Sequence, residues 1–411
     1  MLDVTCFGIN AIVGSSIYLF PGRLAELLGP ASILSFGLTA LLLSPVALCF
    51  AQAASLFNSH GGPYLYARKA MGPAVGYGIG WMCWLTSVFA VAAVANGIAV
   101  YLGFFNPDWG APLTAKAAAA AVILGTGAVN YYGVKQGAWT SNFFTAAKLI
   151  PLALFVLIGL PQIDLRLFDS FAPHGFRPLG AACFLAYFAF QGFEVVPVPA
   201  GEVDKPQRNI PLAVLGSLAF SAVLYMLVQA VAVGVFPGLA GSQRPLAQAA
   251  SRVMGSAGAA MLAAGAAVSM IGFIAGSSLG TPRYLVALAQ NGDLPPALAG
   301  LHPRFNTPHR AVALTTAFSL AAALLLDFNK LVDFANVVIC AQYIAACAAV
   351  FLLKRKENPA GFFLSPWAAL PIFAVAATLW LGAQGEPAQL IWSVLLLALG
   401  FCVRAVFRAV S

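Results

Sequence analysis

Long apolar runs separated by short polar breaks recur along the whole chain of 411 residues. A helix that crosses a bilayer needs about 20 predominantly apolar residues. On that rule the pattern predicts twelve spans, at 3–27, 31–57, 73–104, 114–131, 138–160, 178–199, 210–236, 255–281, 309–327, 330–353, 365–383 and 388–407. Little chain is left between them, so no separate soluble domain is expected. The first run starts almost at Met1 and leads into further helix rather than a cleavage site, so it reads as a span and not as a removable signal peptide.

Two of these runs are interrupted. The first holds Gly8, Gly14, Ser15, Ser16, Pro21 and Gly22, and the sixth holds Gly192, Pro197 and Pro199, with Gly201 just after it. A helix broken at membrane depth is tolerated only where its freed N–H and C=O groups are buried in protein or line a cavity, which makes both interruptions candidate binding sites. Membrane helices are richer in glycine and proline than soluble ones in any case. The offset is the stronger signal: spans five apart cross in opposite senses, and paired interrupted helices in matching positions of two halves point to an inverted-repeat transporter. The expected architecture is an all-α membrane protein with a first repeat at 1–160 (spans 1 to 5), a second at 178–353 (spans 6 to 10) and peripheral spans 11 and 12 at 365–407.

Composition agrees with the pattern, with 61% hydrophobic and 8% charged residues and a mean hydropathy of +0.88. A soluble domain carries roughly a quarter charged residues. The formal charge of +8 follows from topology, because basic residues of short loops collect on the cytoplasmic side. With the N-terminus cytoplasmic, the inner loops and tail hold Arg68, Lys69, Lys135, Lys205, Arg208, the run Lys354-Arg355-Lys356, Arg404 and Arg408. Both termini are therefore expected to be cytoplasmic, and no nucleic-acid partner is implied.

The seven cysteines fall in apolar spans without CxxC spacing, and His60, His174, His302 and His309 are scattered, so neither a metal nor another cofactor is expected. The GxSxG pattern at 276–280 lacks the preceding strand that a hydrolase nucleophile needs. No phosphate loop and no set of nucleophile, base and orienting group can be assembled, so the chain is not read as an enzyme.

Lys148 stands about ten residues inside span 5, where a lysine costs roughly 2.5–3.5 kcal/mol on insertion scales and so faces a partner or a cavity. A snorkelling lysine on a tilted helix is the plainer alternative, but Phe143, Phe144, Leu149 and Ile150 surround it with apolar sequence. Glu194 in span 6 reads as a structural acid bonded to freed backbone or a neighbouring span. No other acid lies deep in spans 3, 6, 8 or 10, which favours a neutral substrate over a cationic one.

Three motifs carry a family resemblance: GINAIVGSSIYLFPG in span 1, GGPYLYARKAMG after span 2, and FAFQGFEVVPVPAGEVDKPQRNIP from span 6 onward. In these the chain resembles the amino acid permeases of the amino acid-polyamine-organocation superfamily; spans 9 to 12 match in hydropathy alone. The resemblance implies the leucine-transporter type of 5+5 inverted repeat and an alternating-access carrier. It places the substrate carboxylate at Ile12, Gly14, Ser15 and Ser16, where the second half-helix of span 1 begins with orphan donors and its positive end. It places the ammonium at carbonyls of Phe188, Ala189 and Gln191, with Phe188 as an aromatic gate. Lys148 matches a lysine of proton-coupled members, and the implied role is an ammonium bonded to carbonyls within residues 8–13, with proton loss linked to inward opening.

Two residues depart from the family pattern: Ser16 stands where glycine is usual, and Gln191 where a small or aliphatic residue is. The implied partners are an amino acid, the lipid bilayer and a proton. The heavy-chain subunit of animal exchangers attaches through a cysteine in the loop between spans 3 and 4, and residues 105–113 contain none, so a self-sufficient monomer of the plasma membrane (a bacterial inner membrane) is expected. Exchange and facilitated uptake remain open beside proton symport, and a channel or transport-dead sensor on the same fold is the alternative from another class.

Overall fold

The computed structural model describes residues 2–56, 62–133, 138–196, 203, 205–357 and 369–410. Among them there are helices and no strands. The helices are α1 (Leu2–Ile12), α2 (Ser16–Leu28), α3 (Ser32–Leu56), α4 (Gly62–Met71), α5 (Pro73–Phe105), α6 (Pro112–Tyr131), α7 (Ala138–Gly159) and α8 (Leu179–Phe190). The second half continues with α9 (Pro206–Val235), α10 (Pro245–Gly280), α11 (Pro282–Gln290), α12 (His309–Leu325), α13 (Phe328–Glu357), α14 (Ala369–Gly382) and α15 (Pro387–Val410). Among the described residues eight helical stretches are long and apolar enough to cross a membrane, and Leu179–Val195, His309–Leu325 and Ala369–Gly382 are shorter apolar helices. The prolines at 197 and 199, Gly201 and Lys135 lie outside the described residues.

Helix ends follow local chemistry. Helices α5, α6, α10 and α11 each open on proline, whose missing N–H falls where no intrahelical acceptor exists and whose φ is already helical. Asp327 closes the start of α13: its Oδ1 accepts the Lys330 N–H at 2.9 Å. That bond, with the nearby Lys330 ammonium, holds the Asp327 carboxyl below the usual carboxylate range. Hydropathy placed the start of span 8 at residue 255, yet α10 already begins at Pro245 and turns at Gly255, whose φ is +66°. Gln248, Ser251 and Arg252 make that first segment polar enough to read as loop.

Helices α5 and α13 form the buried centre, with Tyr77, Trp84, Tyr101 and Tyr343 among the largest enclosed side chains. Helices α6 and α15 lie outside and turn Leu113, Leu124, Ile391, Val394 and Val406 outward, as lipid-facing helices do. The glycine run opening α5 serves close packing: a Cβ on Gly76 would lie 2.5 Å from Arg68 Cβ of α4, and one on Gly80 2.9 Å from side chains of Leu288 and Tyr64. The GxSxG residues are ordinary turns within α10.

One ionic cluster ties three elements at one end of the bundle. Asp293, after α11, is fully buried and accepts from Arg68 Nη1 of α4 at 2.7 Å, Arg404 Nη2 of α15 at 2.7 Å and Arg408 Nη2 at 3.0 Å. Arg404 also stacks over the Tyr77 ring, 5.0 Å from its centroid. Nothing in the loop charges, read from sequence, marked this common acid.

Candidate functional site

The chain leaves the helical path after Ile12 and resumes it at Ser16. Val13 N–H still closes α1 on the Ile9 carbonyl at 2.8 Å, but the N–H groups of Gly14 and Ser15 make no backbone hydrogen bond among the described residues. Ser15 does not cap α2 with its side chain, and its buried Oγ has no hydrogen-bond partner among the described residues. Orphan donors at a helix start, with the dipole's positive end behind them, form a cradle for an anion.

The carbonyl side of the same break faces a cation. Lys148 of α7 is fully enclosed, and its Nζ donates to the carbonyls of Asn10 at 3.0 Å and Val13 at 2.7 Å. The last carbonyls of a helix lack intrahelical partners and carry partial negative charge, so an ammonium there both satisfies and stabilises them. Ser269 of α10 adds weak contacts to the Val13 and Gly14 carbonyls at 3.5 and 3.4 Å. Lys148 is anchored in turn, because Tyr18 donates to its carbonyl at 3.1 Å and Tyr101 donates to the carbonyl of Tyr18.

The second break has the opposite polarity. Helix α8 ends at Phe190, Gln191 turns extended, and Gly192 takes φ +127° before a short 3-10 turn at Phe193–Val195. The Glu194 carboxylate accepts the Gly192 N–H at 2.8 Å and the Tyr343 hydroxyl at 2.9 Å. A lysine thus caps the carbonyl end in one break and a glutamate an N–H in the other, so each buried charge has hydrogen-bond partners.

The two breaks meet. Tyr225 of α9 places its hydroxyl 3.1 Å from the Ile12 carbonyl and 3.1 Å from the Ala189 carbonyl. A Cβ on Gly192 would lie 2.4 Å from the Ala11 carbonyl oxygen. Phe20 and Phe188 pack at 6.0 Å between ring centroids, with Phe328 beyond Phe20 at 6.1 Å. Ile12, Ser15, Ser16, Phe188, Ala189 and Gln191 are all buried, so the site is closed to solvent. The structure brings Ile12, Gly14, Ala189 and Lys148 around one backbone crossing, and the Gln191 side chain beside it reaches Asn336 of α13 at 2.7 Å.

Backbone donors and acceptors of the two interrupted helices come together here, and among the described residues Glu194 is the enclosed acid beside them. In comparison with known proteins, a family model described as amino acid permease matches residues 1–409. The chain belongs to the amino acid permease family. Among similar proteins, the methylthioribose transporter of Bacillus subtilis is 28% identical over 396 residues, 92% of this chain and 86% of that protein. The branched-chain amino acid permease BcaP of the same organism is 28% identical over 377 residues (86% and 80%). The serine/threonine exchanger SteT, also of B. subtilis, is 26% identical over 386 residues (90% and 86%). The permease is accordingly a membrane transport protein of a family whose members are transporters and not enzymes.

Tyr225, Ser269 and Asn336 were not singled out from sequence. Tyr225 lies in the apolar run Ala222-Val223-Leu224-Tyr225-Met226, where an isolated tyrosine reads as core, and nothing local says that its hydroxyl serves two other helices. Tyr225→Phe keeps the ring contacts with Phe36 at 5.4 Å and Phe190 at 5.3 Å and removes the one group shared by both breaks. A buried hydroxyl bond is worth roughly 0.5–1.5 kcal/mol net, so the expected result is up to about a tenfold weaker substrate affinity with normal expression, measured as the half-saturation of uptake.

Proposed function

We propose that this permease is a secondary transporter that carries neutral amino acids across the plasma membrane by alternating access, coupled to protons. The carrying observation is the crossing of the two breaks. Gly14 and Ser15 N–H groups, without a hydrogen-bond partner among the described residues, lie in the same crossing as the Ile12 and Ala189 carbonyls, which the Tyr225 hydroxyl bridges. In this reading the N–H groups from Gly14 to Ser16 receive the substrate carboxylate, and the carbonyls of Ile12, Phe188, Ala189 and Gln191 the ammonium. Phe188 is the gate over the site and Lys148 the proton-linked group. The fold is twelve spans in a 5+5 inverted repeat, 1–160 and 178–353, with 365–407 peripheral. Both termini are cytoplasmic and the carrier works as a monomer without a heavy-chain subunit.

Enclosure of both charged ends by backbone supports a neutral substrate, because the one acid beside the site, Glu194, is occupied by Gly192 and Tyr343. The likeness to a serine/threonine exchanger keeps amino acid exchange as the second reading. The test is a thermal-shift screen of the common amino acids on purified protein, followed by liposome uptake of the hits with and without an inward proton gradient. A ligand at 100 times its Kd stabilises the folded state by about 2.7 kcal/mol, an upward shift easily seen. Uptake driven by the gradient supports symport; counterflow without any response to it supports exchange; purified protein that ignores every amino acid ends the reading.

A further inference from the structure

Gln191 extends from the end of α8 to α13, where its Nε2 donates to Asn336 Oδ1 at 2.7 Å. Asn336 is itself oriented, since its Nδ2 donates to the Phe184 carbonyl at 2.6 Å. The polarity of this pair is forced. A carbonyl only accepts, so Asn336 must turn nitrogen to Phe184 and oxygen to Gln191; Gln191 must then answer with nitrogen, because two amide oxygens face to face repel. The Oε1 of Gln191 is left over as an acceptor without a partner among the described residues. The residue carrying it keeps 9% of its surface open, and its N–H turns back toward the Phe188 carbonyl at 3.4 Å.

Asn336 is fully enclosed, and so is the Phe184 carbonyl it holds. The relay therefore cannot reorient by exchanging partners with solvent. A glutamine alone at this position would offer either end of its amide to a ligand. One clamped by Asn336 offers only oxygen.

We propose that the Phe184–Asn336–Gln191 relay presents a fixed hydrogen-bond acceptor to the substrate's side chain. The permease then selects neutral amino acids whose side chains donate a hydrogen bond, hydroxyl or carboxamide, over aliphatic ones of the same size. This rests on the amino acid reading above and specifies its substrate class. A site that bonds a substrate hydroxyl can reject the analogue lacking it by far more than an apolar pocket rejects an added hydroxyl. For one neutral bond the expected preference is about tenfold.

The test uses near-isosteric pairs, L-threonine against L-valine and L-asparagine against L-leucine, measured by thermal shift on the purified full chain and by competition in counterflow. In the wild type the donor of each pair is expected to bind about tenfold more tightly. Gln191→Leu is expected to reverse the order. Asn336→Ala frees the Gln191 amide to turn either end inward, and is expected to shrink the threonine-to-valine ratio toward one while threonine still binds; a purely structural role for Asn336 would weaken both ligands alike. Wild-type protein that binds valine and leucine as well as their partners overturns the relay and leaves amino acid transport standing. Protein that binds neither member of either pair nor any other amino acid overturns both.

Discussion

Gly192→Ala is expected to bring uptake down to background. The residue stands at φ +127°, a backbone region that L side chains rarely adopt, and holding a side chain there costs on the order of 1–3 kcal/mol. The larger obstacle is space. An added Cβ would lie 2.4 Å from the Ala11 carbonyl oxygen, 2.5 Å from its carbon and 2.8 Å from the Ile12 nitrogen. These are backbone atoms of the other break, unable to swing aside as a side-chain tip does, and overpacking of this kind adds roughly 1–3 kcal/mol. Relief requires the two breaks to part, which takes the Ile12 and Ala189 carbonyls out of joint reach of Tyr225. A displacement of about 1 Å at a positioned site can cost a hundredfold in rate. The matched control is Gly125→Ala, on the exposed face of α6 with nothing within 4 Å of its added Cβ, expected to express and transport normally. Uptake per molecule, normalised to monodisperse protein, is the measurement; wild-type rates in Gly192→Ala would mean that the breaks do not touch.

The all-helical, membrane-crossing character was legible because membrane insertion writes itself into hydropathy: an apolar stretch of the necessary length has few other uses. The interruptions after Ile12 and at Gln191 were legible for the complementary reason, since glycine and serine at that depth need a structural excuse. Lys148 was conspicuous through the cost of its charge. The partners were harder to read. The Tyr225 hydroxyl, the Ser269 contacts and the Asn336 amide act on backbone atoms of distant segments, and single polar atoms on apolar helices carry no spacing that announces their target. Arg68, Arg404 and Arg408 looked sufficiently explained by loop topology, and a buried Asp293 joining them needed the fold to bring α4 and α15 together. The start of α10 was missed because a polar helical segment precedes its kink at Gly255.

The same contrast between a conspicuous charge and its silent partners bears on Lys148. Lys148→Gln is expected to lose the response of uptake to a proton gradient while retaining slow counterflow. The ammonium makes two bonds to the end of α1, with Asn10 and Val13, and hydrogen bonds to charged groups are worth about 1.5–3 kcal/mol each. A glutamine amide is shorter and neutral, so it recovers at most part of one bond and gives up the interaction of a cation with the helix end, itself worth up to about 2 kcal/mol. A loss of about 3 kcal/mol changes a conformational equilibrium by more than a hundredfold, enough to leave α1 loose and the cycle slow. Lys148→Met, which keeps the bulk and drops every donor, is expected to be more severe still, with uptake and counterflow both near background. The two variants separate holding from coupling. If the ammonium only holds α1, glutamine slows uptake and counterflow in the same proportion and the pH response of what remains is unchanged. If its proton is part of the cycle, counterflow survives better than gradient-driven uptake, because counterflow moves no net proton. Reconstituted liposomes with matched internal amino acid and a set external pH measure both on one preparation, and Lys148→Gln protein with wild-type gradient response would remove Lys148 from the coupling step.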